Sequence, residues 1–254
     1  MTDAVQIEVH DGVLVIAINR PRQRNAVNRD VSLAIAAALD RLDAEPGLRV
    51  GVLTGRDGCF CSGMDLKAFV DGERPELNGR GFGGLTEKSP AKPLIAAVEG
   101  FALAGGCELA LACDLIVAAE DAWFGLPEVS RGLVAGSGGL IRLPRRIPPA
   151  IALEYALTGE RLAAPLAHHW GLVNRLAPSG GALAEALRLA GQIAANAPLS
   201  VMMTKRIVTE SEDWPMDGIW ERQRPLAEAV IGSQDALEGA GAFAEKRIPV
   251  WRGQ

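Results

Sequence analysis

Leu94-Ile95-Ala96-Ala97-Val98-Glu99-Gly100-Phe101-Ala102-Leu103-Ala104-Gly105-Gly106-Cys107-Glu108-Leu109-Ala110-Leu111-Ala112-Cys113-Asp114-Leu115-Ile116-Val117-Ala118 is the stretch whose reading decides the fold. Leu94 to Val98 is a short apolar run and reads as a buried strand. A glycine-bearing turn follows. The apolar segment from Gly105 to about Ala112 reads as a helix, and Asp114 to Ala118 as the next strand. Two buried strands joined through a helix need a crossover, which runs parallel strands side by side. The same strand–turn–helix order recurs over Val50 to Phe69 and over Asp114 to about Arg142, without sequence identity between copies. The fold class is therefore α/β, built from a repeated unit.

Working outward, Val5, Ile7 and Val9 alternate with polar residues up to Asp11-Gly12. Val13-Leu14-Val15-Ile16-Ala17-Ile18 then completes a hairpin on an Asp-Gly turn. Val31, Ile35, Leu39 and Leu42 share one helical face within Asn28 to Leu42. Asp71 to Ser89 is rich in glycine and proline and has no clear period, so it reads as a mobile loop with a helical turn. Gly136 to Gly139 opens a helix, and Val173 to Leu176 is a last strand. From about Gly181 to Lys246 the chain is helical, broken at Pro198, Pro215 and Gly232. Its apolar faces suit either subunit contacts or packing on the preceding domain.

With 254 residues, 48% of them hydrophobic, the chain can bury a large core. A net charge of −5 gives no basis for a nucleic-acid surface or an anionic membrane partner. No apolar run is long enough to cross a bilayer. Met1-Thr2-Asp3-Ala4-Val5 lacks the regions of a signal peptide, so a cytoplasmic protein is expected. Three histidines (His10, His168, His169) are too few and too scattered for a zinc site. Cys59, Cys61, Cys107 and Cys113 read as small core residues.

Glu108 is the lone charge between Ala104 and Cys113, and Glu128 follows Pro127 in Phe124-Gly125-Leu126-Pro127-Glu128-Val129. A carboxylate in apolar surroundings is costly unless satisfied, and its pKa rises, which suits acid/base work near neutrality. Gly63 and Gly105 each lie near a helix start, the first at Asp65. The N–H groups of a first helical turn have no partner within the helix. Those of Met64 and Gly105 can converge on one oxygen as an oxyanion hole. Glu108 lies one helical turn beyond Gly105 and so beside that oxygen. Taken singly, the Met64 segment is also an ordinary loop capped by Asp65, Gly105 a packing glycine and Glu128 a solvated loop residue. Arg20-Pro21-Arg22-Gln23-Arg24-Asn25-Ala26 is a basic loop, either a solvated turn or the seat of a phosphate-bearing ligand. Gly136-Ser137-Gly138-Gly139 lacks the lysine of a phosphate-binding loop but offers a turn with free N–H groups.

Cys59-Phe60-Cys61-Ser62-Gly63-Met64-Asp65-Leu66, Gly100 to Ala110 and Phe124 to Val129 resemble the enoyl-CoA hydratase/isomerase (crotonase) family. The likeness extends from Asn19-Arg20-Pro21 to the ending Phe243-Ala244-Glu245-Lys246-Arg247. The resemblance implies a crotonase-like spiral of ββα units over residues 1–195 and a helical C-terminal region over 196–254 that serves trimerisation and covers the pocket. It implies a homotrimer or dimer of trimers, and an acyl-CoA thioester substrate with no metal or redox cofactor, CoA being the substrate's own handle. It also assigns Met64 and Gly105 N–H to the thioester oxygen, and Glu108 and Glu128 to acid/base catalysis. Arg22, Gln23, Arg24 and Ala26 then lie along the CoA groove, with Asp65, Leu66 and Lys67 beside the thioester. Two glutamates favour a hydratase acting on a trans-2-enoyl-CoA in fatty-acid or lipid metabolism. The alternatives are a Δ3,Δ2-enoyl-CoA isomerase working through Glu128 alone and an acyl-CoA-binding homologue without turnover. Met64 stands where alanine is frequent in the family, Ala104 where a third glycine is frequent, and Ala135 where proline is common. Ser130 and Arg131 take positions that many hydratases leave apolar, and Gly136 carries no carboxylate, which argues against dehalogenase-type nucleophilic catalysis.

Overall fold

The computed structural model describes residues 4–254. Met1, Thr2 and Asp3, which open the segment expected to lack a signal peptide, lie outside that range. In chain order the elements are β1 (Val5–His10), β2 (Val13–Ile18), α1 (Arg29–Ala44), β3 (Val50–Gly55), α2 (Leu66–Val70), β4 (Glu76–Leu77), β5 (Gly81–Phe82), β6 (Leu94–Val98), β7 (Phe101–Leu103), α3 (Gly105–Ala112), β8 (Leu115–Ala119) and β9 (Trp123–Gly125). Then come α4 (Gly139–Arg146), α5 (Pro149–Thr158), β10 (Leu162–Ala163), α6 (Ala164–His169), β11 (Arg175–Ala177), α7 (Ala182–Ala194), α8 (Pro198–Ser211), α9 (Ile219–Ile231) and α10 (Gln234–Glu245).

Six strands form the main sheet in the order β1-β2-β3-β6-β8-β11. β1 and β2 are antiparallel across the Asp11-Gly12 turn, whose two residues both take positive φ, and every later pairing is parallel. The continuous apolar runs follow from burial on both faces. Leu14, Ile16, Leu53, Leu94 and Ala96 face the larger core, which includes Ile35 and Leu39 of α1. The intervening Val13, Val15, Val50, Val52, Ile95 and Val117 pack on Ala186, Leu189 and Ala190 of α7.

A second sheet, β10-β9-β7, forms the rim that the sequence does not display as strands. β7 and β9 are three residues each, too short for a period to register. Cys61 bridges Ala102 of β7, and Val27 bridges Met64, so the second segment of each unit is drawn onto this rim. The result is the expected crotonase-like spiral of ββα units followed by helices.

Two expectations change. The 71–89 segment is not a structureless loop: β4 and β5 pair as a small hairpin, and Phe82, Leu85 and Thr86 are buried. Its glycines, four of them at positive φ between Gly79 and Gly84, make tight turns rather than slack. The last strand is Arg175–Ala177, two residues later than expected, because Asn174 caps the neighbouring edge with a side-chain bond to Ile116 N at 2.8 Å.

The C-terminal helices attach through Lys205 of α8. Its Nζ reaches Asp114, the carbonyls of Pro90 and Lys92, and Ser89 Oγ. Trp220, Ile231, Leu237 and Phe243 of α9 and α10 stay exposed in the single chain. No helix among the described residues is long and apolar enough to cross a membrane.

Candidate active site

Gly105 begins α3, so its N–H has no partner within the helix. The Phe82 ring lies so close that a Cβ on Gly105 would meet it at 2.5 Å. Ala104, just before the helix, sits at φ 49°, ψ −126°. Its N–H donates to Gly125 O (2.9 Å) and its carbonyl accepts from Glu108 N (3.0 Å). The turn is thus tied to β9 and to the first turn of α3.

Met64 comes to the same place from the other side. Val27 N donates to Gly63 O and Asp65 N to Val27 O, so both neighbours of Met64 pair with Val27. A parallel bridge of that form turns the Met64 N–H to the opposite side. A Cβ on Gly63 would lie 3.1 Å from the Gly105 nitrogen, so the two proposed donors stand close together. Asp65 caps α2 by accepting from Lys67 N and Ala68 N. Its other oxygen accepts from Arg20 Nη2 at 2.8 Å. Burial opposes the Asp65 carboxylate, but the Arg20 guanidinium and the α2 N–H groups outweigh it and hold the pKa below the usual value.

The basic loop runs alongside. Pro21–Gln23 form a 3₁₀ turn with Arg22 and Gln23 exposed, and Arg24 and Asn25 take left-handed φ. Ser62 N donates to Arg24 O, Arg20 Nη1 donates to Ala26 O, and Ala26 is buried. Leu66 is exposed and Lys67 stands beside it at the start of α2. Arg24 is thus linked to Ser62 and Ala26 leads into the Val27 bridge to Met64, while no hydrogen bond joins Arg22, Gln23 or Lys67 to Met64 among the described residues. Fully buried Asn25 organises the loop: its amide nitrogen reaches the carbonyls of Arg56 and Cys59, and its Oδ1 accepts from Arg20 N.

Glu108 is 3% exposed. Its Oε1 accepts from Ser137 N at 2.6 Å and Gly139 N at 2.9 Å, and its Oε2 takes no hydrogen bond from the described residues. Glu128 lies in the 3₁₀ turn Pro127–Arg131, with Oε2 buried and unpartnered. Burial pushes the pKa of Glu108 up, the two N–H donors and Arg142 pull it back, and the Glu128 charge adds to the rise. Burial also raises Glu128, opposed by its own N–H and by Arg131. The charge of Glu128 thus bears on Glu108, and the two carboxyls differ in support: Glu108 is held by two N–H donors from another segment, which favour its anion, and Glu128 by its own N–H. The four cysteines are free and buried, and burial pushes the Cys61 and Cys107 thiols up to about 12, so neither is a nucleophile at neutral pH.

Both glutamates and both N–H positions were singled out from the sequence, and the fold brings the Met64 and Gly105 segments together and sets the Glu128 charge within reach of Glu108. Sequence reasoning passed over Arg20 as part of a charged loop, and it missed Phe82 and Arg142. The signals available were the isolated arginine within Leu140-Ile141-Arg142-Leu143 and the aromatic within Gly81-Phe82-Gly83.

Such a site on a ββα spiral defines a class, and the comparisons agree: residues 8–254 match the family model described as Enoyl-CoA hydratase/isomerase, and the chain belongs to that family. It is similar to an enoyl-CoA hydratase structure from Mycobacterium marinum, at 59% identity and a TM-score of 0.98, with each chain fully covered. It is also similar to a carnitinyl-CoA hydratase structure from Mycobacterium avium, at 44% identity and a TM-score of 0.80, again with full coverage of both. Among curated proteins, a carnitinyl-CoA dehydratase from Salmonella typhi is 41% identical over 262 residues, covering all of both chains.

Proposed function

We propose that this chain is a hydro-lyase that adds water across the double bond of a trans-2-enoyl-CoA to give a 3-hydroxyacyl-CoA, and runs the same steps backwards as a dehydratase. The observation that carries the reading is the pair of carboxyls, buried Glu108 held through one oxygen and half-buried Glu128 with a buried oxygen left unpaired, the charge of Glu128 acting on Glu108. Each then has one oxygen free to hold a shared water. Glu108, whose pKa burial raises while two N–H donors hold one oxygen in place, takes a proton as the water oxygen bonds to C3. The π electrons move toward the thioester oxygen, where the Met64 and Gly105 N–H groups strengthen their hold. Glu128, whose pKa burial raises, delivers a proton to C2. The water supplies both the hydroxyl and, through the carboxyl pair, the replacement proton.

General acid/base assistance of this kind contributes about 10²–10⁴-fold, and each oxyanion donor roughly 3 kcal/mol of transition-state stabilisation. Arg22, Gln23, Arg24 and Ala26 would follow the CoA portion, with Asp65, Leu66 and Lys67 near the thioester; no metal or separate cofactor enters the scheme. A trimer or dimer of trimers and a cytoplasmic setting accompany this reading. The exposed apolar side chains on α9 and α10 support assembly.

The test is turnover of crotonyl-CoA, followed as loss of enoyl-thioester absorbance, for wild type, Glu108→Gln and Glu128→Gln. Activity lost in both variants is the expected outcome. Retention of 3-enoyl isomerisation in Glu108→Gln, with no hydration by wild type, would replace the hydratase with an isomerase.

A further inference from the structure

Arg142, on the first turns of α4, is half-buried and touches neither proposed oxyanion donor nor either glutamate directly. Its Nη2 donates to Thr86 O at 2.5 Å, and its Nη1 to Ser137 O at 3.3 Å. Ser137 is the residue whose N–H holds Glu108 at 2.6 Å. The guanidinium folds back beneath its own loop so closely that a Cβ on Gly138 (φ 98°) would lie 2.0 Å from Nη1. The Gly138 carbonyl in turn accepts from Ile141 N and Arg142 N. The N–H cradle of Glu108 is therefore wrapped on the arginine.

The other end of the guanidinium holds the turn after β5. Leu85 N and Thr86 N both donate to Phe82 O, so Thr86 and Phe82 move together. The Phe82 ring packs on Gly105, and a Cβ on Gly83 would meet Leu109 at 2.6 Å. The 82–86 turn is thus pressed onto the start of α3, where Gly105 and Glu108 both lie.

We propose that Arg142 is a positioning residue that fixes the Glu108 carboxylate and the Gly105 N–H relative to each other, by tying the Ser137–Gly139 cradle and the Phe82–Thr86 turn to one planar cation. The inference rests on the hydration reading for its catalytic consequence, but not for its structural one. A guanidinium suits the task because it donates to two carbonyls in one plane, which a lysine ammonium cannot do with the same geometry. Its charge also acts on Glu108 from α4, opposite to the Glu128 charge from the 3₁₀ turn. Among the described residues, these are the two charged side chains whose charge bears on Glu108.

The test compares wild type with Arg142→Gln and Arg142→Lys, and with Arg145→Gln as a control for charge on α4. Arg145 faces outward to Glu212 and Asp213. Two readouts are used: kcat and KM for crotonyl-CoA across pH, and hydrogen exchange of peptides covering residues 82–86 and 136–139 in the free protein. Displacement of a catalytic group by about 1 Å costs on the order of 10²-fold. Arg142→Gln should therefore lower kcat by about 10- to 100-fold with little change in KM. The acidic limb of the profile should move to higher pH, because the anion of Glu108 loses both a nearby cation and rigid donors. Arg142→Lys, which keeps the charge, should move the limb less but still lower kcat. Exchange should quicken in both peptides, and Arg145→Gln should match wild type throughout. Unchanged kcat, pH profile and exchange in Arg142→Gln would overturn the proposal; if that variant does not fold, the same criterion applies to Arg142→Lys. Should wild type hydrate no enoyl-CoA, the reaction assignment falls, and exchange alone decides: loss of protection at 136–139 supports the strut, and unchanged protection overturns it.

Discussion

Ala104→Gly should make the protein more stable, although it removes a methyl group and adds chain freedom. Ala104 sits at φ 49°, ψ −126°, a region that disfavours any residue with a Cβ. Holding a non-glycine residue in such a region costs about 1–3 kcal/mol. The surroundings enforce it: Gly125 O accepts the Ala104 N–H and Glu108 N donates to the Ala104 carbonyl, so the residue cannot relax without freeing two backbone groups. Glycine removes that strain. Against this stand about 0.4–1 kcal/mol for the looser unfolded chain and, because Ala104 is half-buried, roughly half of the ~0.8 kcal/mol of a buried methylene. Midpoint values leave about 1 kcal/mol of net stabilisation, which for a chain of this size raises Tm by roughly 2–4 °C. Urea unfolding with an unchanged m-value is the assay, with scanning calorimetry beside it. Ala102→Gly serves as the internal control: Ala102 is fully buried with ordinary strand geometry, so the same chemical change there should destabilise. If Ala104→Gly lost 1 kcal/mol or more, or both variants fell together, the strain argument would be refuted.

Glu128→Gln should be more stable than wild type at alkaline pH and gain nothing at acid pH. The folded pKa of Glu128 is raised by burial, so the stability of the wild type is fully present below the unfolded carboxylate pKa and is lost as pH rises through the folded one. Thermal melts from pH 4 to 8 read this directly, and parallel curves for the two proteins would contradict it. Arg20→Met leaves Asp65 without its cation and Ala26 O without its donor. Because both side chains are largely buried, the loss should exceed that of a surface pair, about 1–3 kcal/mol, and crotonyl-CoA turnover should fall with the loosened Met64 turn. Stability equal to wild type would show that the pair is idle. Phe82→Ala should cost about 3–5 kcal/mol in urea unfolding, since the ring is 3% exposed and fills the space against Gly105. A cost under 1 kcal/mol would mean that the 82–86 turn collapses onto α3 without it.

Local chemistry in the sequence determined a good deal. Unbroken apolar runs at Val13–Ile18, Val50–Thr54 and Leu94–Val98 specify a sheet buried on both faces, because no other arrangement hides every residue of a strand. Asp11-Gly12, Asn28 and Asp65 mark a turn and two helix starts through their own backbone and side-chain preferences. Glu108 and Glu128 were legible as candidate catalytic residues because each is a charge out of place in apolar surroundings. Only the tertiary structure decided what those residues meet. The rim strands Phe101–Leu103 and Trp123–Gly125 are too short to carry a period, and exist because β7 pairs with β9 and with Cys61. The 71–89 segment reads as slack because its glycines dominate locally, yet it is fixed by the burial of Phe82 and Leu85 against a distant helix. Arg20 and Arg142 look like surface charges because their partners, Asp65 for the one and the carbonyls of Thr86 and Ser137 for the other, are assembled across the fold. A side chain displays its own chemistry in the sequence; which oxygen its cation reaches, and which carboxylate that contact steadies, depends on segments brought together only by folding.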